Sequence, residues 1–384
     1  MKILFVDQTG QLGGGELSLL DVIRCVRHPS QVVLFSDGPF RNALESIPVP
    51  VHLLSLGKIS QVPRNAQMRS ALSALPHLFA LRRQLASQAL GSDLIYANSQ
   101  KAFIVSALAR RRRQPLIWHL RDILTADHFS PLMRRAAVLA GNLSASAVIV
   151  NSEATRDAFV KAGGTREKTF IVYNGIDPQP FDAVSSGEVD ALREEFNLKG
   201  KFVFGVFGRL TPWKGQRVAI DAIVNLPDVE LLLVGDALFG EQPFVEQLRQ
   251  HAQTLGVRNR VHFLGFRQDV PALMKLVDVV VHASTLPEPF GRVIVEGMLA
   301  TRPVVAMRAG GVLEIVQDSE TGLLVSPDSP QTLTAAIARL QQDPAFARRI
   351  AAAGHQRARQ VFSVDAMIDG IHAVIDAVLA DAAR

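Results

Sequence analysis

Cysteine is nearly absent. Cys25 stands alone in the chain, which excludes an internal disulfide framework, leaves no cysteine cluster for zinc and fits a reducing compartment. Long apolar runs are missing as well. Hydrophobic residues make up 48% of the sequence, high for a soluble protein, yet no stretch reaches the ~18 uncharged apolar residues of a membrane span. The nearest, 136–150, is broken by Gly141, Asn142, Ser144 and Ser146. The chain opens with Lys2, a short apolar run and Asp7, a first β-strand rather than a signal peptide, so a cytoplasmic protein starting at Met1 is expected. No Asp-x-Asp triplet occurs, and there is no low-complexity tract or short-period repeat.

What is present is an alternation. Short Val/Ile/Leu runs are interleaved with segments of helical period, the pattern of parallel sheets covered by helices on both faces. In the first half, strands are expected at 2–6, 31–35, 51–54, 93–97, 115–120, 147–150 and 169–172. The rhythm restarts at 202–207, 230–234, 261–264, 279–282, 303–306 and 322–325. A length of 384 residues also exceeds what one hydrophobic core usually organises. Two doubly wound, Rossmann-like α/β domains follow, with a turn-rich hinge at Tyr173-Asn174-Gly175-Ile176-Asp177-Pro178. The boundaries expected are 1–176, 177–362 and a terminal helix over 363–384. The segment 63–90 is helix-forming but divided by Pro63 and Pro76.

Charge is uneven along the chain. Residues 1–175 carry 21 Lys+Arg against 11 Asp+Glu, a balance of +10, while the remainder carries 20 against 25, or −5. A basic half suits a phosphorylated acceptor, anionic lipid or nucleic acid. Nucleic acid ranks last, because the half lacks interleaved aromatics and any recognisable nucleic-acid motif. Arg82-Arg83, Arg110 to Arg113 and Arg134-Arg135, near Leu78, Phe79 and Leu132, make an anionic membrane surface an expected docking partner. Solvated helix ends are the competing reading.

Ligands of open parallel sheets bind beyond the carboxyl ends of the strands, and four places there stand out. Gly13-Gly14-Gly15-Glu16 follows the first strand and opens a helix at Leu17; glycines let backbone N–H groups approach an anion at a helix start. It is neither a dinucleotide fingerprint nor a P-loop, and a flexible turn is the alternative. Gly208-Arg209-Leu210-Thr211-Pro212-Trp213-Lys214-Gly215 sets an arginine at a strand end and a lysine at the next helix start, able to hold a diphosphate between two cations. Two ordinary surface cations would look the same. In Glu288-Pro289-Phe290-Gly291-Arg292-Val293-Ile294-Val295-Glu296, Glu288 lies in a loop and Glu296 about two turns into a helix. At 1.5 Å per residue they stand roughly 12 Å apart, too far for the ~5–9.5 Å carboxylate pair of a glycosidase. The spacing suits one carboxylate on sugar hydroxyls and one on ribose hydroxyls, with the N–H groups of Phe290 and Gly291 meeting phosphate. Finally, Trp118-His119-Leu120-Arg121-Asp122 ends a first-domain strand, where His119 would meet the transferred sugar or the acceptor, or be structural.

Together these residues resemble the family-four retaining glycosyltransferases of GT-B fold over nearly the whole chain. The glycine turn, the Arg/Lys pair and the Glu-x7-Glu motif recur there in this order, and Asn174 to Asp177 and Gly310 to Val316 look like family segments. The resemblance implies two Rossmann-like domains facing across a cleft, the first binding a glycan or lipid-linked acceptor, the second a nucleotide-diphosphate sugar of UDP or GDP type. It implies that the terminal helix returns to the first domain. Arg209 and Lys214 would stabilise the departing diphosphate, Glu296 hold ribose, Glu288 hold the hexose, His119 line the reaction centre, and Gly14 and Gly15 approach the distal phosphate. The implied activity is retaining, metal-independent hexosyl transfer in bacterial-type polysaccharide or glycoconjugate synthesis, with no cofactor beyond the substrate. No side chain is an obvious covalent nucleophile, so retention implies front-face attack. Two alternatives stay open: a GT-B-fold nucleotide-sugar epimerase, and a non-catalytic nucleotide-sugar-binding partner subunit.

Overall fold

The computed structural model describes residues 1–55, 75–125, 129–237 and 241–382. They divide into two compact units, Met1–Gly175 with Val364–Arg384, and Ile176–Ser363.

In the first unit, β1 (Ile3–Asp7), β2 (Ser30–Leu34), β3 (Val51–Leu53), β4 (Leu94–Ala97), β5 (Leu116–Leu120), β6 (Ala147–Val150) and β7 (Thr169–Ile171) form a parallel sheet in the order β3-β2-β1-β4-β5-β6-β7. The order reverses at β1, which puts the ligand crevice of such a sheet beyond the carboxyl ends of β1 and β4. Among the described residues its helices are α1 (Gly14–Cys25), α2 (Pro39–Glu45), α3 (Leu75–Ala89), α4 (Gln100–Ala109), α5 (Pro131–Ser144), α6 (Glu153–Lys161) and the terminal helix Val364–Ala382. Alternation along β1 sends Ile3 and Phe5 to one face and Leu4 and Val6 to the other. Both faces are covered. Ile3 and Phe5 pack with Leu19, Val22, Met367, Ile371 and Ile375, whereas Leu4 and Val6 pack with Leu85, Phe103 and Trp118. Trp118 stacks on Phe103 with ring centroids 4.4 Å apart. The terminal helix buries Met367, Ile371, Val374, Ile375 and Val378, one face at helical spacing.

The second unit repeats the plan. Strands β8 (Phe202–Phe207), β9 (Val229–Val234), β10 (Val261–Gly265), β11 (Val279–His282), β12 (Val304–Met307) and β13 (Leu323–Val325) pair in parallel in the order β10-β9-β8-β11-β12-β13. Here the order reverses at β8.

Three sequence expectations need adjusting. Of the segment 63–90, the helix Leu75–Ala89 is described and Pro63 lies outside the described residues; Pro76 lies within that helix and does not divide it. Leu78 packs against the core instead of facing solvent. The terminal helix also adds four acids and one arginine to the first unit, so the balance of that unit is +7 and that of the second −2. Among the described residues no helix is long and apolar enough to cross a membrane.

Candidate active site

In the second unit the site is built where β8 and β11 end. Past β8, Thr211 leads into a 3-10 turn, Pro212–Lys214, and Gly215 then adopts φ +71 before the helix Gln216–Ile223 begins. Lys214 therefore sits in the turn and not on the helix, as the sequence suggested, because the left-handed conformation at Gly215 separates the two. That glycine is required: a Cβ there would lie 1.8 Å from the Ala283 carbonyl oxygen. The loops after β8 and β11 are further tied by Thr285 N–H donating to the Trp213 carbonyl at 2.9 Å. Gln216 amide nitrogen donates to the Arg209 carbonyl at 2.9 Å and fixes the strand end.

Glu288 is buried at the meeting of these loops. Its Oε1 accepts from Lys214 Nζ at 2.7 Å, from His282 Nε2 at 2.9 Å and from the Ser284 hydroxyl. Burial by itself would raise this carboxyl, but the Lys214 ammonium and the His282 and Lys214 hydrogen bonds hold it well below the ordinary carboxylate range. Its backbone bridges Gly310, and Gly311 N–H donates to the Glu288 carbonyl at 2.9 Å. Lys214 Nζ lies 4.6 Å from the centre of the Trp213 ring and the Arg209 guanidinium 6.0 Å, so one indole sits by both cations. Arg209 also pairs with Glu241 at 3.7 Å, and Glu241 accepts from Thr211 at 2.6 Å.

Gly291, at φ +120, caps the helix Arg292–Leu299. Glu296 thus stands about one turn into that helix, not two, because the glycine delays the helix start to Arg292. It pairs with Arg292 at 3.4 Å. The Phe290 ring is buried edge-on against Phe362 at 5.6 Å. The structure therefore brings Arg209, Lys214 and Glu288 into one connected set, with Gly291 and Glu296 on the adjoining helix start. His282, Ser284, Trp213 and Glu241 were not anticipated as site residues. The one available signal was a histidine closing an otherwise all-valine strand.

In the first unit, α1 starts at Gly14 rather than Leu17, with Gly13 as its cap and its N–H donating to Glu16 Oε2 at 3.0 Å. Beneath the turn lies a polar network. Asn98 donates to Asp7 at 2.6 Å, and Arg121 donates to Asn98 at 2.9 Å, Ser18 at 3.0 Å and Asn174 at 2.6 Å. Burial, with Asp7 beside it, pushes the Glu16 carboxyl up to about 7. A Cβ on Gly15 would lie 3.7 Å from Arg121 Cγ. Gly14 is exposed. His119 is fully buried in β5, with Nδ1 on the Tyr96 hydroxyl. Burial, then the nearby Arg121 charge, lowers its pKa far below the usual histidine value, so the ring is neutral at physiological pH.

Comparison with known proteins gives this arrangement a family. The glycosyl transferase 4-like domain matches residues 13–175 and the group 1 glycosyl transferases match 188–357. HepE of Anabaena, solved in complex with UDP, is 42% identical, with 98% of this chain and 100% of that one covered and a TM-score of 0.89. The chain is a family-four glycosyltransferase of GT-B fold. Other HepE structures hold UDP with glucose, and UDP-glucose. The lipopolysaccharide core biosynthesis glycosyltransferase LpsE of Rhizobium meliloti is 35% identical to this glycosyltransferase over 162 residues, 42% of this chain and 46% of that protein. The chain spans about half the length of the curated relatives it matches. Sucrose-phosphate synthase of Thermosynechococcus elongatus, 19% identical with 99% of each chain covered and a TM-score of 0.79, shares the fold.

Proposed function

We propose that this glycosyltransferase is a retaining, metal-independent hexosyltransferase using a UDP-sugar, and that it glycosylates a glycan or lipid-linked acceptor in bacterial-type polysaccharide or glycoconjugate synthesis. The observation that carries the reading is the set at the ends of β8 and β11. Two cations and a buried carboxylate lie at the topological switch point, in a chain 42% identical to one solved with UDP-glucose. Arg209 and Lys214 take up the charge that develops on the departing diphosphate, the task a metal performs elsewhere. Glu296 receives the ribose hydroxyls and the Gly291 helix start faces phosphate. Gly14 and Gly15 approach the distal phosphate. His119, fully buried in β5, is not assigned a contact to the sugar. Glu288 is already committed to an ion pair, which favours front-face attack over a covalent intermediate: the acceptor oxygen bonds to the anomeric carbon as the phosphate oxygen leaves and takes the acceptor proton.

A thermal-shift comparison of UDP, GDP and ADP in EDTA tests this reading. UDP at 100 times its dissociation constant should stabilise the protein by about 2.7 kcal/mol. Glu296→Ala should weaken UDP by roughly 10- to 100-fold, the worth of hydrogen bonds to a charged group. Stabilisation by UDP only when Mg²⁺ is added, or equal shifts for the three nucleotides, would sink the proposal.

The acceptor reading includes a peripheral location on the inner face of the plasma membrane. Helices α3, α4 and α5 pack side by side and contain no acidic residue. Phe79, Leu108, Leu132, Leu139 and Leu143 are exposed on them, beside exposed Arg82, Arg83 and Arg135. Within the arginine block, Arg110 and Arg111 donate to the Gln114 and Ser92 carbonyls, and Arg111, Arg112 and Arg113 are exposed. Cations near anionic lipid contribute about 1 kcal/mol each and are screened by salt. Co-sedimentation with phosphatidylglycerol vesicles at low salt is expected, with loss at high salt and in a variant carrying Arg82, Arg83, Arg112 and Arg113→Gln. Equal binding to neutral phosphatidylcholine vesicles, or none to either, would remove the membrane from the reading.

A further inference from the structure

We infer that His282 and Ser284 are positioning residues for the Glu288 carboxylate: with Lys214 they fasten Oε1, and so present Oε2 to a hydroxyl of the donor sugar. The inference rests on the reading of Glu288 as the sugar-holding carboxylate.

Three donors from three places converge on one oxygen. Lys214 comes from the turn after β8, His282 is the last residue of β11, and Ser284 lies two residues beyond it. A carboxylate can only accept, so His282 carries its hydrogen on Nε2. Its Nδ1 is buried with no hydrogen-bond partner among the described residues. His282 is 6% exposed and Ser284 1%, so water does not compete for these bonds.

The division of labour follows from donor geometry. An ammonium is a compact charge with three rotatable hydrogens and tolerates many carboxylate orientations. An imidazole N–H anchored on a strand points one way. Lys214 thus supplies charge, while His282 and Ser284 supply direction. The Glu288 backbone is fixed independently, because a Cβ on Gly310 would come within 2.4 Å of the Glu288 carbonyl oxygen, so the two chains touch there. With backbone and Oε1 both held, Oε2 has one place to be. A purely structural role for the two residues would cost stability alike whether or not a sugar is bound.

The test compares affinities for UDP and UDP-glucose by calorimetry in wild type, His282→Leu, His282→Gln, Ser284→Ala and Glu288→Ala. His282→Leu and Ser284→Ala should bind UDP within about twofold of wild type and lose about tenfold in UDP-glucose affinity, part of the worth of a hydrogen bond to a charged group. His282→Gln, whose amide nitrogen reaches the place of Nε2, should recover most of that loss. Should His282→Leu fail to fold, Ser284→Ala carries the same test with the removal of one oxygen. If Glu288→Ala loses UDP-glucose selectively but His282→Leu and Ser284→Ala do not, the inference fails and the reading of Glu288 stands. If Glu288→Ala itself leaves the two affinities in their wild-type ratio, it is the reading of Glu288 that fails.

Discussion

Lys214→Ala is expected to slow sugar transfer by about 10²- to 10³-fold, the effect of deleting one preorganised donor to a developing oxyanion, or ~2.7–4 kcal/mol in the barrier. The substitution removes a cation that stands over Trp213 at the topological switch point of the second sheet, 2.7 Å from Glu288. Comparing kcat for UDP-sugar turnover in wild type and variant, at saturating donor, checks the magnitude. A loss under about tenfold would place the diphosphate charge on Arg209 alone.

The same change has a signature in stability. In the wild type the Glu288 carboxyl is held below its ordinary range, so the stabilisation it contributes is present above the unfolded carboxylate pKa and is lost as pH falls through the folded value. Without Lys214 the carboxyl rises, so ionised Glu288 is less well stabilised at neutral pH than in the wild type. Removing one partner of a buried pair costs about 3–5 kcal/mol, and the effect here belongs below that range because Lys214 is 21% exposed. Melting temperatures measured from neutral to acid pH should show the gap between variant and wild type closing as pH falls.

The sequence carried the sheets well because parallel strands covered on both faces must be apolar throughout. Val279 to Val281 and Leu231 to Val234 are readable as strands for that reason. The terminal helix was legible as an alanine-rich, helix-forming run after the break at Phe362-Ser363. The same two-sided burial hides direction, so alternation in β5 could not say that His119 points into the core rather than outward. Helix starts were misplaced where a glycine with positive φ intervenes, at Gly215 and Gly291, since propensity does not record which glycines adopt that conformation. The partners of Glu288 were illegible for a different reason. Lys214 lies 74 positions away in the chain, and His282 and Ser284, though near in sequence, reach the carboxylate only because the loop folds back against Trp213 and Gly310.

That fold-back makes Gly215→Ala a strongly disruptive small change in the second unit. A left-handed conformation costs an alanine about 1–2 kcal/mol, and the new Cβ would meet the Ala283 carbonyl oxygen, 1.8 Å away, carbonyl carbon and Cβ together. Backbone cannot swing aside as a flexible side chain can, so the loop after β11 must move, at a further ~1–3 kcal/mol of overpacking. A total of about 2–5 kcal/mol corresponds to roughly 4–20 °C in melting temperature for a unit of this size. Gly256 supplies the control, because it has φ +70 and open space where a Cβ would stand; Gly256→Ala pays the backbone strain without the collision. The difference between the two melts, followed by circular dichroism, therefore isolates the contact between the loops. Because Ala283 precedes Ser284, the displaced loop in Gly215→Ala should also lose preference for UDP-glucose over UDP, while Gly256→Ala keeps it. If the two variants melt together and bind alike, the loops after β8 and β11 are not in contact in solution, and Glu288 must be held by other means.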